Sequence, residues 1–516
     1  MVYSILIKNG TIIDGSGNIP YQGDIGIFDN YIKDIGEVGS LGDQADTIID
    51  ATNLCISPGF IDLTNHSDIY GTLFTVPGQD SLLTQGITSI LVGNCGYSLA
   101  PIIKKEAADD LGRWTNVSSL NIDWSSISEY FDSLNRAGIS INVATLIGQE
   151  TLRKNTISIE EKKLLLSRSL KDGACGLSSN FSFVNFSEEV KQESVELLKV
   201  VKEYNGLWKI HIGDEGQNLL PAVASVIGFA KDAGVRTVIS HFKAIGRKAW
   251  NEYKRAIKMI NSSREQNVDI SIDIFPYLRT GSLLLSLLPQ WAREGDVATV
   301  MARLNDKKTS EFILQDLLLI TLHPERIMIA SAQREKTHVS KTLDDISRNI
   351  GLSPEATILE ILRINNLNVT IFGKTLHSKN LIFGIMQENS FIATDGAGYD
   401  LSFATSKDLV HPRSFGAFAR FFNKIGPLAG LPMEKIIQKM TSIPAKILGL
   451  KDRGLLSKNL VADIVIFHPE EFRDQSTYLN PYKFATGMRY VVIGGRVIFS
   501  NDTINKNIHG SILKRK

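Results

Sequence analysis

Nine histidines occur among 516 residues, and three of them, His66, His211 and His241, end or closely follow short apolar runs. Cys95, Tyr277 and Asp395 stand at equivalent places after further runs. Imidazole nitrogen, thiolate sulfur and a carboxylate oxygen are the donors that zinc takes. Each residue alone has an ordinary explanation. A histidine at a strand end commonly serves as a hydrogen-bonded structural group, and an unpaired cysteine as a small buried one. As a set they predict a metal site, because in a parallel barrel the residues that end the strands converge on one face.

The elements that must position them follow from the same runs. Short apolar segments at 59–63, 89–92, 141–146, 176–179, 208–211, 237–240, 269–274 and 391–394 read as strands buried on both faces. Helical patterns at 187–204, 216–233 and 249–266 alternate with them. Eight such units predict an α/β chain with a (β/α)₈ TIM-type barrel. His66 and Cys95 lie 29 positions apart, and His211 and His241 lie 30 apart, close to the ~31 residues that one barrel unit occupies. The 118 positions from Tyr277 to Asp395 are too many for one unit. The excess, 284–339, reads as an inserted subdomain or lid with a helical pattern at 297–319, although 326–330 also has the texture of a barrel strand.

Both ends of the sequence read as short strands and turns, at 6–13, 24–28, 31–35, 47–49 and 53–56, and again at 462–467 and 490–499. Residues 1–57 with 450–500 are therefore expected to form one small, β-sandwich-like domain around a barrel at 58–449. Residues 501–516 read as a loose polar tail.

Composition limits the function classes. Lys and Arg number 56 against 55 Asp and Glu, a balance with no overall field to attract nucleic acid or an anionic membrane. Three cysteines cannot build a disulfide framework in a chain this size. No apolar run reaches the roughly eighteen residues of a membrane span. The opening residues read as a strand and not as a signal peptide. These features predict a cytoplasmic location without nucleic-acid or membrane partners, and they leave the oligomeric state open. No Walker-type phosphate loop and no serine nucleophile elbow is present.

The segment Ser57-Pro-Gly-Phe-Ile-Asp-Leu-Thr-Asn-His66-Ser-Asp68 resembles the opening strand of the amidohydrolase superfamily. Gly93-Asn-Cys95-Gly-Tyr-Ser-Leu-Ala-Pro101, Ile210-His211-Ile-Gly-Asp-Glu-Gly216 and Ile239-Ser-His241-Phe-Lys243 narrow the resemblance to its D-aminoacylase (N-acyl-D-amino-acid deacylase) family. So do Phe275-Pro-Tyr277, Thr394-Asp395-Gly396 and His411-Pro-Arg413-Ser-Phe-Gly416. Further matches at 440–446, 452–456 and 462–465 carry it over essentially the whole chain, in the family's order.

The resemblance implies a zinc-dependent hydrolase that cleaves N-acyl-D-amino acids, with one tightly held zinc on Cys95, His211 and His241. It implies Asp395 as the catalytic carboxylate and Lys243 as a contact to the substrate carboxylate. Arg413 and Tyr277 are read beside Lys243 as substrate-binding groups. Two departures stand out. Where the family opens with His-Thr-His, this sequence has Thr64, Asn65 and His66. A second metal position is therefore doubtful, and His66 is left as a further ligand or a neighbour of the site. Gly213 stands where the family commonly has Arg.

Asp214 and Glu215 read either as partners that orient a ligand or as a solvated helix start, and Asp62, Asp68, Cys55 and Cys175 as structural. Two rivals stand against the deacylase. One is a cyclic-amide hydrolase of the hydantoinase or dihydroorotase kind, which bridges two metals with a carboxylated lysine; no lysine ends the segment at 176–179. The other is a binding protein that kept the fold and lost turnover.

Overall fold

Strands that are apolar along their whole length need cover on both faces, and the parallel strands of this chain have it. The computed structural model describes residues 2–111, 120–156, 158–182, 187–507 and 509–515. Every residue of Phe60–Asp62, Ile87–Val92, Asn142–Thr145, Gly176–Asn180 and Ile270–Ile274 is buried. The first three pair in that order as one parallel sheet. A second parallel sheet runs Ile147–Gly148, Gly176–Asn180, Leu207–His211, Arg236–Ile239, Ile270–Ile274 and Ser390–Ile392. Leu146 alone separates the two sheets along the chain, and a parallel bridge between Asn65 and Gly396 joins their outer strands. Helices such as Glu188–Glu203, Leu219–Ala233 and Gly246–Glu265 cover the outside. The second of these begins three residues later than its periodicity predicts, because the Asp214 carboxylate takes the backbone N–H groups of Gly216 and Asn218 into a turn.

Between Tyr277 and Asp395 the chain folds on itself. Val369–Gly373 lies between Thr280–Leu283 and Ile327–Ala332, antiparallel to both. Residues from 283 to 371 enclose a separate apolar core. This body reaches beyond 339, since its return strand ends at Gly373 opposite Thr280. Ile327–Ala332 pairs there and not with the parallel strands. The helical pattern at 297–319 is two helices, Val297–Asn305 and Lys307–Leu318, because Asp306 ends the first and its side chain caps the second.

Strands from residues 3–58 and 464–504 make one nine-stranded sheet, in which Cys55–Pro58 pairs antiparallel with Ile464–Phe467. The segment expected to be a loose tail is pinned instead. Gly510, Leu513 and Arg515 donate backbone N–H groups to the carbonyls of Ile139, Val143 and Gly173, and Leu513 is buried. Its polar composition conceals two apolar residues, Ile512 and Leu513, that seat it at the start of the parallel strands. Residues 508 and 516 of that segment lie outside the described residues. No helix among the described residues is long and apolar enough to cross a membrane.

Candidate metal centre and catalytic site

The residues that could hold a metal sit at or just beyond the C-terminal ends of parallel strands. His211 ends its strand. Cys95, His241 and Asp395 lie two or three residues past theirs, and all three have left-handed backbone, at φ 54°, 40° and 51°. Such a conformation costs a non-glycine residue roughly 1–3 kcal/mol, so each must be held by its surroundings. His241 N–H donates to Asp273 Oδ1 at 2.6 Å. Asp395 N–H donates to the Thr64 carbonyl at 2.9 Å. The turn before Cys95 needs a glycine: Gly93 has φ +74°, and a Cβ there would lie 2.2 Å from the Leu146 carbonyl oxygen. Asp68 accepts the Gly93 N–H at 2.8 Å.

Cys95, His211 and His241 bring one ligand atom each to within 4.8 Å of one another. Cys95 Sγ lies 3.4 Å from His241 Nε2. The His211 and His241 rings are 4.5 Å apart, nearly edge to face. Ligand atoms around a tetrahedral zinc stand about 3.3–3.6 Å apart, given Zn–S near 2.3 Å and Zn–N near 2.0–2.1 Å. One thiolate and two imidazoles also form a donor set that zinc favours, so these residues fit the ion.

The charges around the cluster are strongly organised. Burial opposes ionisation of Cys95, but His241, His211 and His66 outweigh it and hold the thiol well below its usual range. Burial likewise opposes charge on Asp395, and Arg413, His241 and His66 overcome it, leaving a carboxylate. Arg413 donates to Asp395 Oδ2 at 2.5 Å, and His66 Nε2 meets Oδ1 at 3.1 Å. Glu215 is only 10% exposed at its side chain, and burial opposes its charge, yet Lys243 and the two histidines bring its carboxyl down to about 2. Its Oε1 accepts from Lys243 and lies 3.3 Å from His241 Nδ1. That ring nitrogen is also 2.9 Å from Lys243 Nζ. Glu215 therefore orients a cluster histidine, while Asp214 is spent on its own turn.

The predicted residues thus fall into two groups that touch. Cys95, His211, His241, Glu215 and Lys243 form one. Asp395, His66 and Arg413 form the other. Tyr277 joins neither through its hydroxyl, which is buried and donates to the Pro412 carbonyl at 3.2 Å. Its ring lies under the Arg420 guanidinium, 4.8 Å away. The Phe275 ring underlies both Arg413 and Lys243, at 5.0 and 6.0 Å. Asp62 ties the first parallel strand to the last by accepting Thr394 N–H and Oγ1–H. Cys55 and Cys175 are buried, and burial pushes both thiols up to about 12. Sequence reading missed Lys209 and Asp273, which lie inside the site's floor. A charged residue within each apolar run, in Trp-Lys-Ile-His and Ser-Ile-Asp-Ile, was the available signal.

No family model matches the chain. A D-aminoacylase from Alcaligenes xylosoxydans xylosoxydans is 24% identical over 99% of this chain and 98% of its own length. An N-acyl-D-glutamate deacylase from the same organism is 27% identical over 96% and 93%. Among solved structures, the N-acyl-D-glutamate deacylase of Bordetella bronchiseptica superposes with a TM-score of 0.83 at 24% identity, covering the whole of both chains. That structure holds zinc and a phosphonate mimic of the reaction's tetrahedral intermediate. A D-aminoacylase structure gives the same TM-score at 23% identity over 99% of this chain and all of the other. An L-hydantoinase from Arthrobacter aurescens aligns less closely, with a TM-score of 0.58 at 11% identity over 98% of each chain. Over nearly its whole length the chain is thus similar in sequence to D-aminoacylases and N-acyl-D-amino-acid deacylases, and it shares the fold of their solved structures.

Proposed function

We propose that the protein hydrolyses the amide bond of N-acyl-D-amino acids, giving a carboxylate and a free D-amino acid. The observation that carries this is the convergence of Cys95, His211 and His241, with the buried Asp395 carboxylate meeting His66 and Arg413 beside them. Cys95, His211 and His241 would hold one zinc ion, which when bound polarises a carbonyl and lowers the pKa of water towards about 7. His66 borders this set through Asp395.

Asp395 acts as general base and then as general acid. It takes the proton of the attacking water and passes it to the departing amine, which is too basic to leave unprotonated. Arg413 keeps that carboxylate charged and aimed. The Arg413 Nε–H is buried without a partner among the described residues, and a substrate carboxylate would satisfy it by a charge-assisted bond. Lys243 provides the second cation over the same Phe275 ring. Tyr277 contributes its ring as a wall.

In the same reading, the parallel strands and the Asn65–Gly396 bridge close a (β/α)₈ barrel at 58–449. Residues 1–57 and 450–500 form a small β domain, and the insertion includes 284–339. The free thiol at Cys95 suits a reducing cytoplasm. Ser178-Ser179-Asn180 ends the fourth strand without a lysine, which separates this chain from enzymes that bridge two metals with a carboxylated lysine. The test is to incubate the zinc-loaded protein with paired D and L N-acetyl amino acids and to assay free amine. Release from the D compounds is expected; release from L compounds only, or from none, overturns the assignment.

A further inference from the structure

Lys209 and Asp273 are wholly buried on two strands of the parallel sheet that flank Arg236–Ile239, and the chemistry above uses neither. Lys209 Nζ donates to Asp273 Oδ2 at 2.9 Å, to the Leu63 carbonyl at 2.7 Å and to Thr64 Oγ1. Three donors meet three oxygens, the full capacity of an ammonium group. Thr64 Oγ1–H donates in turn to Asp273 Oδ2 at 2.7 Å.

This cluster holds the site from below. The other Asp273 oxygen accepts the His241 N–H, and the Asp273 carbonyl accepts the Phe242 N–H at 2.7 Å. The Thr64 carbonyl accepts the Asp395 N–H. Two of the three left-handed residues of the site therefore rest on groups that surround one ammonium.

A buried ion pair is costly to desolvate and does not by itself stabilise a fold relative to apolar packing. The arrangement has another property. A carboxylate, a hydroxyl and a carbonyl oxygen aimed at a single point are the ligands of a hard divalent cation. We propose that Lys209 is a resident cation standing where a metal ion would otherwise bind, and that it balances Asp273 so that this carboxylate can hold the His241 backbone. Lys209 is a positioning residue, and it limits the centre to the one ion held by Cys95, His211 and His241. The inference rests on the reading of His241 as a zinc ligand.

The test uses the full-length protein, dialysed against zinc and then against manganese(II). Metal content is read by elemental analysis, bound manganese(II) by its electron paramagnetic resonance signal, and stability by thermal melting. Wild type is expected to keep one zinc and to show no added tight manganese(II). Lys209→Met, which retains length without charge, is expected to take up one further ion per chain and to melt higher as manganese(II) is added. Lys209→Met/Asp273→Asn, with both charges removed, is expected to return to one zinc and to lose the manganese(II) response. A Lys209→Met protein with one zinc and no manganese(II) response overturns the proposal. So does one that fails to fold in the presence of manganese(II), or a wild type that binds a second ion equally well. Wild type without any tight zinc would instead sink the reading of the Cys95 cluster, while the manganese(II) comparison between variants still judges Lys209.

Discussion

Replacing Asp395 by Asn separates proton transfer from metal binding. The wild-type carboxylate lies between two donors, Arg413 on Oδ2 and His66 Nε2 on Oδ1. Asn preserves size and one oxygen, which stays with Arg413. Its amide N–H then faces His66 Nε2, which accepts once the ring gives up its Nε2 proton and stays protonated only on Nδ1, a buried atom with no hydrogen-bond partner among the described residues. Removing one partner of a buried pair outright costs about 3–5 kcal/mol. Here a hydrogen bond survives on each side, so the expected loss of stability is smaller, about 1–3 kcal/mol. The ligand atoms of Cys95, His211 and His241 are untouched, and zinc content should not change. Turnover should fall by about 10²–10⁴-fold, equivalent to roughly 2.7–5.4 kcal/mol in the barrier. The assays are amine release from an N-acetyl-D-amino acid, elemental zinc and a thermal melt on one preparation. Loss of zinc would make Asp395 primarily a ligand. Near-normal turnover would put the base elsewhere, with His66 next in position.

Two further outcomes follow from the geometry. Glu215→Gln weakens the hold on His241 Nδ1 and on Lys243, so zinc affinity measured against a competing chelator should drop by about 10–100-fold; unchanged affinity would leave Glu215 with no orienting role. Gly176→Ala places a Cβ 1.9 Å from the Leu207 carbonyl oxygen at φ +155°. The strand that carries His211 must then move, and we expect a loss of at least about 3 kcal/mol in stability together with weaker zinc retention. A melt and metal content close to wild type would refute that account.

The candidate site was legible where a polar residue ends or closely follows an apolar run, as at Cys95, His211, His241 and Asp395. Strand periodicity locates such residues, and their donor types name the chemistry. Other features lay beyond that logic. The phenol of Tyr277 was expected to face substrate, but a strand-end position does not say which carbonyl a hydroxyl will reach, and it reaches Pro412. Arg413 was read as a substrate contact without its tie to Asp395, because 18 positions of chain between them carry no periodic signal. Thr64 looked like the loss of an imidazole. Its hydroxyl belongs to the Lys209–Asp273 cluster, and only the register of strands distant in sequence reveals it. The extent of the insertion was underestimated for a related reason, since Val369–Gly373 pairs with Thr280–Leu283 across a long stretch of chain.

The pairing of Cys55–Pro58 with Ile464–Phe467, in register from Pro58 opposite Ile464 to Cys55 opposite Phe467, has a consequence for how the protein is made. The first strand leaves the ribosome long before its neighbour exists. At about 5–20 residues per second, the roughly 400 intervening residues occupy some 20–80 seconds of synthesis. Throughout that interval a strand whose four residues are all buried in the finished sheet presents an open edge, the kind of surface that recruits other chains. A nascent chain stalled before residue 464 would keep that edge exposed however well its metal centre had formed. Completion of the sheet is thus a late event that seals the earliest part of the chain.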